Sequence, residues 1–584
     1  MGNARVIFPA LLLLALTVCA YVPATRGGFI WDDDRYVSEN PALTHPAGLR
    51  AIWLRPGATD QYYPLVFTSF WVEHRIWGTN PAGYHWVNVT LHGLNAVLLW
   101  ILLTRLGVPC PWFAAAVFAV HPVHVESVAW ISERKNVLSG FFYLLAFLAY
   151  LRFSPLDATG RDEPPAGSGL GWYAVAFAAF VAALLSKTVT CSLPAVLVLV
   201  TWWKRGWPTR REWAALGPMF VVGLALALHT AQMEKQHVGA SGPDWAFTPV
   251  ERCLIAGRAL WFYATKLAWP HPLIFVYPRW EIDTSEALQY LYPLGWAGLI
   301  AALGWGAFQL PLPRWLAPLH RLGRGPLVAV LVFSGTLVPA LGFFNVYPML
   351  FSFVADHFQY LASIPLICLG VAALDAALRW LSIRLSIDGR ATVAVVGGVL
   401  LAVLGGLTWR QGHAYAGLET LWRDTIAKNP TAWMAHYNLG RLLLDEGRDA
   451  EAMTCFEQTV AVNPRHVLGL NNWGHLLKSQ AEGTDGDAAA RLYDLAAEKT
   501  ALAIEYDRTR DPRIIRNLAE IHMARKDYAA AIATYEQAIA AIAKHDPKHG
   551  FGRLVPDYTH ALQRARRLAA TFETDPNPGG RVPE

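Results

Sequence analysis

Apolar runs of spanning or near-spanning length crowd the first 409 residues, at 6–22, 84–103, 112–130, 137–151, 170–185, 190–203, 213–229, 288–309, 326–344, 361–378 and 391–409. A bilayer asks a helix for about 20 apolar residues. In lipid each segment must satisfy its own backbone N–H and C=O groups. The expected fold is therefore all-α: a polytopic helical bundle of about 11 spans. Composition then places a boundary. Asp, Glu, Lys and Arg supply 48 of the first 409 residues but 45 of the 175 from Arg410 onward, and about a quarter charged is the soluble norm. Two domains in series follow, a membrane domain over 1–409 and a soluble one over 410–584. The composition argues against an ordinary cytosolic enzyme, and a disordered chain and a single-anchor protein are excluded. Cys19, Cys110, Cys191, Cys253, Cys368 and Cys455 stand singly and suggest neither a disulfide framework nor a zinc site. A net charge of +5 makes no case for nucleic acid.

Basic residues orient the bundle. With the N-terminus cytoplasmic, the inner loops hold Arg105; Arg152 and Arg161; Lys204, Arg205, Arg210 and Arg211; Arg314, Arg321 and Arg324; Arg379, Arg384 and Arg390. The short outer loops hold only Arg134, Lys135 and Lys187, which satisfies the positive-inside rule. Residues 6–22 read as an uncleaved first span. Residues 250–269 are apolar but carry Arg252, Arg258 and Lys266, and read as an interfacial or re-entrant helix on the outer face. The outer loop 23–83 is rich in Trp and Tyr, as suits a segment packed along the interface. An odd number of spans leaves the C-terminal domain outside.

That domain repeats itself. Asn429-Pro430 and Asn463-Pro464 stand 34 residues apart, as do Asn438-Leu439-Gly440 and Asn472-Trp473-Gly474. A 34-residue helical period is that of tetratricopeptide repeats. Leu439, Gly440, Ala452, Phe456 and Pro464 fill the small, large and turn positions of a first copy, and Asn517 to Ala538 read as a last one. The middle copy carries an insertion around Glu482–Asp487. Such arrays bind proteins; the bland alternative is a prop for the membrane part.

Three constellations carry chemistry. Asp32, Asp33 and Asp34 follow the first span on the outer face. Adjacent carboxylates repel, so one should have a raised pKa or a cationic partner, and a carboxylate there could act as general base toward a hydroxyl. The bland reading is a solvated acidic turn. His121-Pro122-Val123-His124-Val125-Glu126 lies at the outer end of the third span, followed by Glu133, Arg134, Lys135 and Asn136. Ionisable groups at such depth mark a site or a pair. The spacing does not match a zinc HExxH helix, so a divalent metal is not favoured. Arg134 and Lys135 fall where a lipid phosphate would lie, with Lys187, Asp356 and His357 as further outer-face candidates. His85, Asn88, His92 and Asn95 share one face of the second span and read as interhelical glue.

In order, Phe29 to Val37 with Asn40-Pro41, then His121 to Glu126, then Val354 to Leu361, then the repeats, resemble the transmembrane-and-TPR protein O-mannosyltransferases and their bacterial relatives. The resemblance implies a GT-C fold and a polyprenyl-phosphate sugar as co-substrate. It also implies an acidic catalytic motif that maps to Asp32 and Asp33. The family commonly has Arg where this chain has His357, which puts the phosphate contact there in question. The expected function is transfer of mannose or a related hexose to Ser or Thr hydroxyls of an exported protein, with inversion. Asp32 or Asp33 would be the base and Arg134 would hold the phosphate, helped by Lys187 or His357. His121, His124, Glu126 and Asp356 are expected nearby, and the repeats would hold the acceptor. No cofactor beyond the lipid-linked sugar is expected. Richness in Ala, Arg and Trp with short loops reads as bacterial, hence an inner-membrane protein with its first loop and repeats outside. The rivals are a non-catalytic membrane scaffold and a lipid-linked glycan polymerase or ligase.

Overall fold

The computed structural model describes residues 4–55, 57–156, 169–235, 239–240, 242–309, 322–544 and 551–574. Arg161, Arg314 and Arg321 of the basic loops lie outside the described residues. Every regular element is helical, and no strand occurs among the described residues. Internal contacts divide the chain into two units, Met1–Asp424 and Thr425–Glu584. The first unit thus runs past residue 409. Its last apolar helix continues to Gly412, and the boundary falls inside the helix Leu418–Lys428.

All eleven apolar runs are helical. Pro81–Arg105, Ile131–Phe153, Arg210–Met233, Ser363–Leu385 and Gly389–Tyr415 are long and apolar enough to cross a membrane, and Val6–Tyr21, Leu170–Leu184, Thr188–Lys204 and Gly325–Ala340 are shorter apolar helices. The third run departs from the expected straight span. It breaks between Pro111–Val120 and Pro122–Ala129 with a bend of 51°. Pro122 has no N–H to continue the ladder, and the His121 ring nitrogen accepts the Val123 N–H at 3.3 Å, capping a new start.

The polar stripe on Pro81–Arg105 points into the bundle. Asn88 donates to the carbonyls of Val128 and Trp130, both at 3.2 Å. His92 meets the Tyr360 hydroxyl at 2.8 Å and the Ala119 carbonyl at 3.1 Å. Asn95 donates to the Val137 carbonyl at 2.8 Å. These bonds tie the second span to the broken third, to its successor and to the segment before Ser363. The loop 23–83 folds into short helices, Pro41–Thr44, Gly48–Leu54 and Pro64–Trp77. They close over a small core of Tyr36, Leu43, Ile52, Tyr63, Phe67 and Phe70. Pro249–Ala268 is one helix that packs along the connection 342–355: Arg252 donates to the Gly342 carbonyl at 2.6 Å, and the Tyr263 hydroxyl accepts the Ala355 N–H at 3.3 Å.

In the second unit three helix pairs succeed one another, Trp433–Asp445 with Asp449–Val462, Val467–Glu482 with Gly486–Tyr506, and Pro512–Ala524 with Tyr528–Lys544. The extra residues of the middle copy appear as a longer second helix, 21 residues against 14 and 17. Ala452, Phe456, Ala519, Ala531 and Ala538 are buried at the repeat positions. Gly474 lets the middle pair approach: a Cβ there would lie 2.3 Å from Thr500 Oγ1 and 3.0 Å from the Ala496 carbonyl oxygen. Gly474→Ala should therefore overpack this unit and cost about 1–3 kcal/mol, read as a lower thermal midpoint for the repeats with the membrane unit unchanged.

Candidate active site

The chain leaves the first helix through a pinch. The Gly28 N–H donates to the Ala416 carbonyl at 3.0 Å, and a Cβ on Gly27 would lie 3.0 Å from the Tyr415 carbonyl oxygen and 3.3 Å from His85 Nε2. Asp33, fully buried, then fastens the turn. One of its oxygens accepts the Ile30 N–H at 3.0 Å, and the other accepts the Ser132 N–H at 2.7 Å from the connection ahead of Arg134. Asp32 beside it stays partly exposed. A single wide turn follows over Asp34–Ser38, closed by the Glu39 N–H to the Asp34 carbonyl at 2.7 Å, a π geometry frequent at functional sites.

The two aspartates differ in chemistry. Burial lifts Asp32 to about 6, with Lys135 and Arg35 pulling down and Asp34 and Asp60 pushing up. Burial lifts Asp33 to about 7 against the two N–H donors that favour its charge. Asp33 has both oxygens committed. Asp32 is reachable, largely ionised at neutral pH and more basic than an ordinary carboxylate, which suits a general base.

Around them lies a charged cluster. Glu133, wholly buried, sits 2.8 Å from the Lys135 ammonium, 3.3 Å from that of Lys187 and 4.0 Å from His357 Nε2. The Asn136 amide donates to Glu133 at 2.6 Å and to the His357 carbonyl at 3.0 Å, and accepts from Lys187 at 2.7 Å. His357 is held by Glu126, through Nδ1 at 2.9 Å and its backbone N–H at 3.0 Å. Burial lowers Lys187 to about 8, Glu133 resisting, so it remains mostly cationic at pH 7. Lys135 stands over the rings of Tyr36 at 5.3 Å and Trp130 at 5.8 Å. Two lysines share the Glu133 carboxylate here, and Lys135 also acts on Asp32.

The structure thus gathers Asp32, Asp33, Glu126, Lys187 and His357, segments all expected on one face. Arg134 does not join them. Its Nε bonds Asn88, one terminal nitrogen bonds Ser69 and Glu73, and the other bonds Glu73 at 3.1 Å and the Tyr84 carbonyl at 2.9 Å. All five guanidinium donors are committed, so none is left for a phosphate. Successive helix residues point about 100° apart, so only one of Arg134 and Lys135 could face Asp32, and it is Lys135. His121 bonds the Leu267 carbonyl at 3.1 Å, and His124 lies between the Phe118 carbonyl and the Ser363 hydroxyl, both at 2.9 Å. These two imidazoles brace the bend instead of facing Asp32. Asp356 accepts from the Tyr277 hydroxyl at 3.0 Å on each oxygen. Glu133, Asn136 and Tyr277 had no assigned part in the sequence pattern; an ionisable Glu133 at span depth was the one available signal. Among the described residues no three His, Cys, Asp or Glu side chains group to hold a metal ion. Glu73→Ala would strand the buried Arg134 charge and should cost about 3–5 kcal/mol, measurable as a lower melting temperature in detergent with membrane insertion retained.

Fold and site together define a many-helix membrane protein with a carboxylate–lysine site and a helical repeat unit. Residues 407–466 and 514–549 match families described as tetratricopeptide repeat. Protein O-mannosyl-transferase TMTC1 of Homo sapiens is 26% identical over 516 residues, 81% of this chain and 57% of that protein. TMTC1 of Mus musculus is 24% identical over 576 residues, covering 81% and 60%. Tmtc1 of Drosophila melanogaster is 35% identical over 152 residues, covering 24% and 17%. The chain spans less than two thirds of the length of these curated relatives. It is related to the transmembrane-and-TPR protein O-mannosyl-transferases.

Proposed function

We propose that this chain is an integral-membrane glycosyltransferase of the GT-C type. It would move a hexose, mannose or a close relative, from a polyprenyl-phosphate donor to a Ser or Thr hydroxyl of an exported protein. The observation that carries the reading is Asp32: a reachable carboxyl raised to about 6, set beside a cation cluster on one face of the bundle. The names of the relatives favour the same reaction.

The hydroxyl oxygen attacks the anomeric carbon while Asp32 takes its proton. The bond from that carbon to the phosphate oxygen breaks, and its electron pair leaves with the polyprenyl phosphate. Lys135 and Lys187 offset the negative charge gathering there, and Glu133 and Asn136 hold both ammonium groups in place. Glu126 fixes His357, in the position where the family commonly carries Arg, at the edge of the cluster. A retaining route would need a second carboxylate free to act as nucleophile; Asp33 is engaged by Ile30 and Ser132, which favours single displacement and inversion. The repeats would present the acceptor, and the site would face the non-cytoplasmic side of a bacterial inner membrane.

Transfer of labelled hexose from a polyprenyl phosphate to a Ser/Thr peptide, in membranes, tests this. Asp32→Asn should lose about 10²–10⁴-fold in rate while keeping the wild-type melting temperature. Undiminished transfer would remove Asp32 as base. Because the base must be ionised, the rate should rise with pH through about 6 and then level off. A profile that falls over that range would contradict the assignment.

A further inference from the structure

Trp31, the residue before Asp32, holds its backbone at φ +47. A bulky side chain in that region costs free energy and persists only where neighbouring contacts hold it. Beside the Asp33 bonds to Ile30 and Ser132, one such contact is aromatic. Trp31 packs edge-to-face on Trp422 at 5.2 Å between centroids. Trp422, 1% exposed, leans in turn on Phe275 at 5.7 Å, and Phe275 on Trp130 at 5.1 Å and Tyr415 at 6.2 Å. The pinch of Gly27 and Gly28 against Tyr415 and Ala416 is part of the same wall. Residues beyond the last apolar helix therefore form one side of the aspartate loop, and the Ser132 connection forms another. Trp422 lies in Leu418–Lys428, past the point at which the sequence composition turns soluble.

We infer that Trp422, acting through Trp31, is a positioning residue that fixes Asp32 in the geometry of a base; this rests on the reading of Asp32 given above. The charged groups acting on Asp32 are Lys135, Arg35, Asp34 and Asp60, with Glu133 behind Lys135, and Asp32 itself acts on the titratable Asp33 and Tyr36; Glu419, Arg423 and Asp424 are the charged neighbours of Trp422 on its own helix. The indole brings no charge. What it supplies is a ring contact that holds the Trp31 backbone, and with it the start of the aspartate turn.

Labelling of Asp32 by a water-soluble carbodiimide, followed across pH by mass spectrometry on the full-length protein in detergent, reads this without any assay of transfer. The wild-type midpoint should lie near 6. Trp422→Ala should move it toward the ordinary carboxylate value of about 3.9, and Trp422→Phe should restore most of the difference. Trp31→Gly suits a positive φ but lacks the ring, and should behave as Trp422→Ala does. In the transfer assay Trp422→Ala should lower kcat by about 10²-fold with KM for the donor unchanged. A wild-type midpoint in Trp422→Ala, or in Trp31→Gly where the first variant fails to fold, overturns the positioning role. A protein whose midpoints behave as expected but which transfers no sugar supports the clamp and removes only the base.

Discussion

Two N–H groups pointed at one buried carboxylate organise the first unit. Asp33 accepts from Ile30 within its own turn and from Ser132, 99 residues on. A buried charge is costly unless paired and hydrogen-bonded, so the loop after the first helix and the connection before Arg134 hold a joint position. From it follow the placement of Asp32 toward Lys135, the burial of Tyr36 and Ile131 in one core, and the seat of the lysine cluster. Without that carboxylate the acidic turn would be the solvated feature that its composition suggests.

The two ends of the site are built on different physics. On the Arg134 side, a guanidinium is saturated by Glu73, Asn88, Ser69 and a carbonyl, so its contribution is rigidity. On the Lys135 side, two ammonium groups share the Glu133 carboxylate, and Lys135 also pulls on Asp32. Adjacent residues of one helix thus divide structural and chemical roles by direction alone. The same logic separates Asp33 from Asp32.

What was legible in the sequence follows from what is local. The spans could be read because lipid forces each to satisfy its own backbone, and the repeats because a 34-residue period is written along the chain. Asp32 and Asp33 stood out as consecutive charges beside an apolar run, although their division of labour did not. The bend at Pro122 was masked by the apolar residues on either side of it. Choosing Lys135 over Arg134 required the helix phase and the position of Glu73, 61 residues earlier. The contribution of Trp422 was hidden because composition turns soluble at residue 410, whereas packing keeps the next residues in the first unit.

The site joins stretches of chain that are far apart in synthesis. Glu126 waits 231 residues for the backbone N–H of His357, and the Asn136 amide waits 221 for its carbonyl. These bonds can form only once His357 has been made. Until then Glu126 lacks both of its His357 donors, whereas Glu133 already has Lys135 and Lys187 as partners. The Glu133 pairs are thus available earlier in the chain, and the Glu126–His357 contact is the one that completes the cluster.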